Sequence, residues 1–393
     1  MAATGRDGAF SPLGALQELR PFQWSAGLVA RGMAELRIAD AVGDGRRTTD
    51  EIAEAVRAHR PSLERFLRVC ELHRLVAPAP APAPAREATG AVTPEPAPDP
   101  GAPSTPPPAA TPASPPASPP AATPAGAGGV RRWELTPAGH LLRSDVPNLR
   151  GFSIAVNAPG MTRPWELVAD VVRTGRPATR TVWGMDHWEY YAANPDEARS
   201  YAETCASLSV EAAEALVASC DLAEEREIVD VGGSPGTVLA RLLREVPGAR
   251  GVLLDLPWAV GFARETFEKD GLTGRVELVA GDFRHEVPAG GSLYLLKNVL
   301  CDLDDEAAAQ LLANCAKAAD PGGRLVLLDW EYTEHSSHVH ANDVEFMVLT
   351  GGRARTEDQY RELLTAAGFA HCRRLPLVGH ERAPIALIES VRA

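Results

Sequence analysis

Three carboxylates, a glycine-rich loop and one cysteine are the residues of this chain whose types and spacing suggest chemistry. The run DVGGSPGTVLARLL places Asp230 ahead of Gly232, Gly233 and Gly236. Glycines at such a turn let the backbone approach a ligand closely at the N-terminus of the helix that follows. Asp255 closes the apolar run GVLLDLP, and Asp282 closes VELVAGDF. A single acidic strand end is ordinarily a solvated or capping residue, but three in register with a glycine loop converge on one side of a sheet. They suit a ligand that offers an amine to one carboxylate, ribose hydroxyls to the second and an adenine amino group to the third. S-adenosylmethionine has those parts. The glycines do not follow G-x-G-x-x-G, which disfavours a dinucleotide dehydrogenase.

The stretch LKNVLCDLDDE sets Cys301 where a buried strand gives way to an acidic helix start. In an α/β enzyme the carboxyl end of a strand is where chemistry is usually placed. A neutral thiol is a poor oxygen base, and an acidic neighbour such as Asp302 raises its pKa further. Cys301 is therefore either a small pocket-lining residue or a thiolate that takes a proton. His335, His338 and His340 in EHSSHVHAND read as part of a polar loop after the fifth strand. That reading makes them poor metal ligands, although one could act as a substitute base. The six cysteines include no C-x-x-C pair, which fits reduced thiols better than disulfides or zinc, and no metal site is expected.

The elements that must position these residues fall into an ordered pattern. From Arg226 onward apolar runs alternate with helical patterns, as in a doubly wound parallel sheet. The predicted strands are EIVDVGG, GVLLDLP, VELVAGDF, SLYLLKNV and GRLVLLDW, and CRRLPLVG and IALIESVR follow as an antiparallel hairpin at the sheet edge. That gives an α/β fold with a seven-stranded sheet over residues 227–393. Residues 148–226 read as a helical connector and lid, in which Trp183, Met185, Trp188, Tyr190 and Tyr191 suit either core packing or a cover over a flat aromatic ligand.

Residues 1–77 and 130–147 read as one small winged-helix domain. A helix capped near Thr49 is followed by a turn at HRP and a second helix, with Leu63, Phe66, Leu67 and Val69 to Leu72 spaced for one buried face. Residues 78–129 divide it: 18 of the chain's 34 prolines lie between Pro78 and Pro124, interleaved with Ala, Ser and Thr. Such a tract lacks the large apolar side chains that repay ordering entropy, so it reads as a disordered insertion at the wing tip. Up to Ala77 there are 11 Arg against 10 Asp plus Glu, which is no basic footprint for DNA. The net charge of −13 argues equally against nucleic acid and anionic membrane. With no leader-like start and no run of about 18 apolar residues, a cytoplasmic location is expected.

Taken together, DVGGSPG, DLP, GDF, LLKNVLCDLDDE, GGRLVLLDW and VLTGGRARTEDQYRELLTAAGF closely resemble the class I small-molecule O-methyltransferases related to plant caffeate and flavonoid enzymes and bacterial polyketide-tailoring enzymes. The resemblance covers the chain outside the proline tract. It implies S-adenosylmethionine as cofactor, methyl transfer to an aromatic hydroxyl, and a homodimer built through the winged-helix domain. By position it assigns Gly232, Asp255, Asp282, Phe283 and Lys297 to the cofactor: Asp255 at the ribose, Asp282 and Phe283 at the adenine, and Lys297 near the methionine end. Family members with a general base carry His-Asp-Trp where this chain has Cys301, Asp302 and Leu303, and a Glu at the position of Ala354. A further family Glu is matched by Asp329. Cys301 and Asp329 thus occupy the catalytic positions without the imidazole. The expectation is transfer by proximity, and the alternative is a repurposed pocket that decarboxylates, hydroxylates or cyclises around a structural cofactor.

Overall fold

The computed structural model describes residues 22–79, 131–145, 149–378 and 384–393. Helices Phe22–Glu35, Ile38–Val42, Thr49–Val56 and Arg60–Leu72 pack on a small antiparallel sheet. Its strands are β1 (Arg47–Thr48), β2 (Val76–Pro78) and β3 (Arg132–Leu135), with β3 in the middle. The flanks of the proline tract are therefore neighbours: Val76 pairs with Leu135 and Pro78 with Trp133. The expected insertion itself lies outside the described residues, apart from its first two.

Thr48 and Glu51 form a reciprocal capping box that starts the Thr49 helix, one residue before the expected cap. The buried Trp133 ties the sheet to that helix, its indole N–H donating to Thr49 Oγ1 at 3.1 Å. Leu63, Leu67 and Cys70 form the buried face of the fourth helix. Leu72, expected on that face, is 58% exposed, because nine residues beyond Leu63 a helix has turned by about half a revolution.

Residues 149–219 are helical almost throughout, ending in the long Pro195–Ser219 helix. The C-terminal unit then builds β4 (Glu227–Val231), β5 (Arg250–Asp255), β6 (Val276–Ala280), β7 (Leu293–Lys297), β8 (Arg324–Trp330), β9 (Phe369–Arg374) and β10 (Ile385–Arg392). They form one seven-stranded sheet in the order β6-β5-β4-β7-β8-β10-β9, parallel from β4 to β8, with β10 antiparallel between β8 and β9. The continuous apolar character of β7 and β8 follows from helices covering both faces. The hairpin is present, but β9 begins at Phe369, three residues before the CRRLPLVG run, and ends at Arg374 within it. Pro376 has no N–H with which to extend the ladder.

The chain order turns back between β4 and β7, so a crevice opens at their carboxyl ends. Among the described residues no helix is long and apolar enough to cross a membrane.

Candidate active site

The glycine loop folds as a cradle. Gly232 sits at φ 73°, and a Cβ there would lie 2.9 Å from Val299 Cγ2 and 3.6 Å from Phe283 Cε1. A Cβ on Gly233 would collide with the Asp230 carboxylate, within 2.3–2.7 Å of its atoms. Asp230, still within β4, is 2% exposed, and its Oδ2 has no hydrogen-bond partner. Burial, then the nearby charge of Asp255, pushes its carboxyl up to about 7 against the pull of Lys297.

Asp255 accepts the Ser234 N–H at 2.9 Å on Oδ2 and the Leu256 N–H at 2.7 Å on Oδ1, which ties the end of β5 to the glycine loop. Burial raises its carboxyl to about 6, although those two amides favour the charged form. Each oxygen keeps a free lone pair for a ligand hydroxyl. Lys297 closes β7 and places Nζ 3.0 Å from Ser209 Oγ, bridging the sheet to the Pro195–Ser219 helix. Its charge reaches Asp230, Cys205 and Cys301. Asp230, Asp255, Gly232 and Lys297 therefore form one electrostatic unit.

Asp282 stands just past β6 rather than at its end, and Arg284 engages its carboxylate on both oxygens at 3.0 Å from Nε and through Nη2 at 2.7 Å. Burial acts to raise this carboxyl, but the Arg284 side chain and amide outweigh it and hold it below the ordinary range. Phe283 reaches back toward Gly232, so it joins the cradle that its neighbour only borders.

Cys301 lies in the tight turn Leu300–Asp302 and is 1% exposed. Its thiol lies beside the Asp329 carboxylate. Asp329 Oδ2 accepts the Leu300 and Cys301 N–H groups at 2.9 and 3.2 Å, and Oδ1 accepts the Trp330 N–H at 2.8 Å. Burial, then the charges of Asp329 and Asp302, pushes the Cys301 thiol well above its ordinary value. Asp329 thus fastens the turn to the end of β8.

The histidine run does not form the expected loop. Ser336 caps a helix, Ser337–Leu349, because its hydroxyl accepts the Val339 N–H. His338 is exposed beside the Trp330 ring, His340 stacks on Tyr332, and among the described residues no cluster of His, Cys, Asp and Glu could hold a metal.

Arg355 and Glu345 gave no sequence signal. Arg355, 1% exposed, clamps the Cys301 turn from beneath through Leu300 O at 2.6 Å and Leu303 O at 2.9 Å. Asp302 and Glu345 keep some accessible surface, yet burial raises both carboxyls. The aromatic residues of 183–191 gather with Tyr201, Trp258 and Phe262, and Tyr191 stacks on Tyr201 with centroids 4.8 Å apart. This cluster is core on one side. On the other it presents buried polar atoms with no partner: Trp183 Nε1, His187 Nδ1, Tyr191 OH and Trp258 Nε1. Apart from Arg131 Nε, the other such atoms among the described residues, Asp230 Oδ2 and Asn298 Oδ1, lie at the strand ends of the crevice. Buried polar groups are ordinarily paired, so this concentration marks where a ligand's polar groups belong.

Comparison with known proteins agrees with this arrangement. The profile of the O-methyltransferase domain family matches residues 165–370. A phenazine O-methyltransferase of Lysobacter antibioticus is 32% identical over 244 residues, 62% of this chain and 72% of that protein. The aclacinomycin 10-hydroxylase of Streptomyces purpurascens is 35% identical over 205 residues, 51% of this chain and 55% of that protein. Among solved structures, an O-methyltransferase from neocarzinostatin biosynthesis, in complex with S-adenosylmethionine and 2-hydroxy-5-methyl naphthoic acid, superposes with a TM-score of 0.70 at 26% identity, covering 94% of this chain and 96% of that one. With the family profile spanning over half the chain and the fold shared along its length, this protein belongs to the S-adenosylmethionine-dependent O-methyltransferase family.

Proposed function

We propose that the chain transfers the methyl group of S-adenosylmethionine to a hydroxyl of an aromatic or polyketide-type natural product, as a homodimer. The observation that carries this reading is the unpartnered, buried Asp230 oxygen beside a glycine cradle that no Cβ could enter. A cationic amine satisfies that carboxylate, Asp255 takes the ribose hydroxyls, and Phe283 with Asp282 borders the adenine. Lys297 lies toward the methionine end, and the aromatic cluster covers the acceptor. The cofactor supplies an electrophilic methyl on a sulfonium, and the protein's part is to hold an acceptor oxygen in line with it. Such approximation is worth about 7 to 11 kcal/mol. Exposed Leu28 and Leu72 on the N-terminal helices, with Leu36 in the turn after the first of them, support pairing of two copies.

Because Asp230 and Asp255 carry raised carboxyls, at about 7 and about 6, binding of a cationic ligand must displace their protons. Affinity for S-adenosylmethionine should then rise between pH 5 and pH 7 and level off above, by up to about tenfold per pH unit for each proton released. Calorimetry in buffers of different ionisation enthalpy checks both the slope and the proton release. A flat profile would remove the two carboxylates from the cofactor site.

Cys301 positions Asp329 and takes no proton. Cys301→Ala should therefore lower kcat by less than about tenfold, whereas loss of a working base costs on the order of 10²-fold or more. The test of the function itself is incubation with methyl-labelled cofactor and a panel of neutral polycyclic phenols, reading labelled product and S-adenosylhomocysteine. The hydroxylase relative favours one competing reading, a reaction in which the cofactor is only structural. Turnover of an acceptor without stoichiometric S-adenosylhomocysteine would establish that reading and sink ours.

A further inference from the structure

A phenol losing its proton on transfer needs somewhere to send it, and neither Cys301 nor Asp329 can serve. The thiol is buried beside two carboxyls that hold its proton on, and Asp329 is buried with donors on both oxygens. The other carboxylate on the same turn is free: among the described residues no side-chain hydrogen bond or ion pair is found for Asp302, which keeps accessible surface.

Its surroundings can be traced through shared electrostatics. Asp302 ends the turn that follows β7, the strand closed by Lys297, and keeps accessible surface there. Its charge reaches Cys205 and Tyr201 on the Pro195–Ser219 helix, and Cys205 also lies within reach of Lys297 and Asp255. From the Ser337–Leu349 helix, which packs against the turn, Glu345 faces it, and from β8 Asp329 does. The hydroxyl of Tyr191, 1% exposed and without a hydrogen-bond partner, lies in the field of Cys205 and Glu345. A buried phenolic O–H with no partner, within reach of Glu345, indicates that a polar ligand group completes it.

Resting on the methyl-transfer reading, we propose that Asp302 accepts the proton of the acceptor hydroxyl, with Glu345 as the positioning residue that tunes it. As the acceptor oxygen's lone pair forms the new bond to the methyl carbon, the methyl–sulfur bond breaks and its electron pair stays on sulfur. The hydroxyl proton passes to Asp302 in the fraction of molecules whose carboxyl is ionised, so that kcat rises with pH toward about 8, and it leaves to solvent with the product. Burial, then the charges of Asp329 and Glu345, lifts the Asp302 carboxyl to about 8, which brings it close to a phenol in proton affinity.

The test compares two acceptors, a naphthol of ordinary acidity and a nitronaphthol already ionised at neutral pH. Asp302→Asn should lower kcat about 10²-fold with the naphthol and less than about threefold with the nitronaphthol, which brings no proton. Glu345→Gln should shift the acid limb of the kcat profile to lower pH, since a nearby negative charge is gone. Affinity for S-adenosylhomocysteine should be unchanged in both variants. Infrared spectra of the cofactor-bound enzyme provide a readout that needs no turnover: a protonated carboxyl should persist at neutral pH and vanish in Asp302→Asn. Equal losses with both acceptors, no loss with the naphthol, or an infrared band unaffected by Asp302→Asn would overturn the assignment while leaving methyl transfer standing. Failure of the parent enzyme to form S-adenosylhomocysteine with any phenol would instead remove the methyl-transfer reading and the assignment with it.

Discussion

Gly232→Val should weaken binding of S-adenosylmethionine by at least about 10²-fold while leaving the sheet folded. Two costs act together. The residue sits at φ 73°, where an L side chain costs about 1–2 kcal/mol and a β-branched one more. The added Cβ would also lie 2.9 Å from Val299 Cγ2, inside the contact distance, with the Phe283 ring beyond it. The loop can relieve that contact only by moving away from Val299, and this carries Ser234 off Asp255 and opens the cradle. Gly232→Ala should show the same effect at smaller amplitude, because it keeps the strain and loses the branch. Titration calorimetry with S-adenosylhomocysteine, alongside far-UV circular dichroism of both variants, checks it. Unchanged affinity in the valine variant would mean that the cofactor does not use this loop.

Arg355→Met should be the most damaging single change to the catalytic half of the crevice. The guanidinium is buried, yet it satisfies Leu300 O and Leu303 O and pairs with Asp305 Oδ1 at 2.8 Å. Asp305 is itself 61% exposed, so the ion pair adds little and the two carbonyls dominate. Leaving both unsatisfied costs about 1–3 kcal/mol each, offset only partly by the methionine's packing. A loss of about 3 kcal/mol corresponds to a fall in Tm of roughly 6–12 °C for a domain of this size. The turn between those carbonyls holds Cys301 and Asp302, and a displacement of about 1 Å there can cost about 10²-fold in kcat. Affinity for the cofactor should change far less, since Gly232, Asp230 and Asp255 lie on other strands. Scanning calorimetry and steady-state kinetics measure the two effects. Normal Tm with normal kcat would show that the turn holds its shape without the clamp.

The sequence alone determined the sheet and the strand-end residues of the crevice. Apolar runs buried on both faces, punctuated by Gly and Asp, allow little besides a parallel α/β sheet, and the strand ends then place Asp230, Asp255 and Lys297 together without further information. The site there is made of consecutive strand termini, so local pattern and global position coincide. The N-terminal helices were legible for a similar reason, since a capping box and a helical apolar face are local features. What the tertiary structure decided is the acceptor side. Asp302, Glu345, Tyr191 and Arg355 come from a turn, two separate helices and a loop, and none has a neighbour in sequence that reveals its partner. Their chemistry arises from burial and from charges brought close by packing, which raise the Asp302 carboxyl and leave the Tyr191 hydroxyl unpaired. Cys301 shows the difference most directly: its place on the turn could be read from the chain, but only the fold buried its thiol beside Asp329 and raised its pKa.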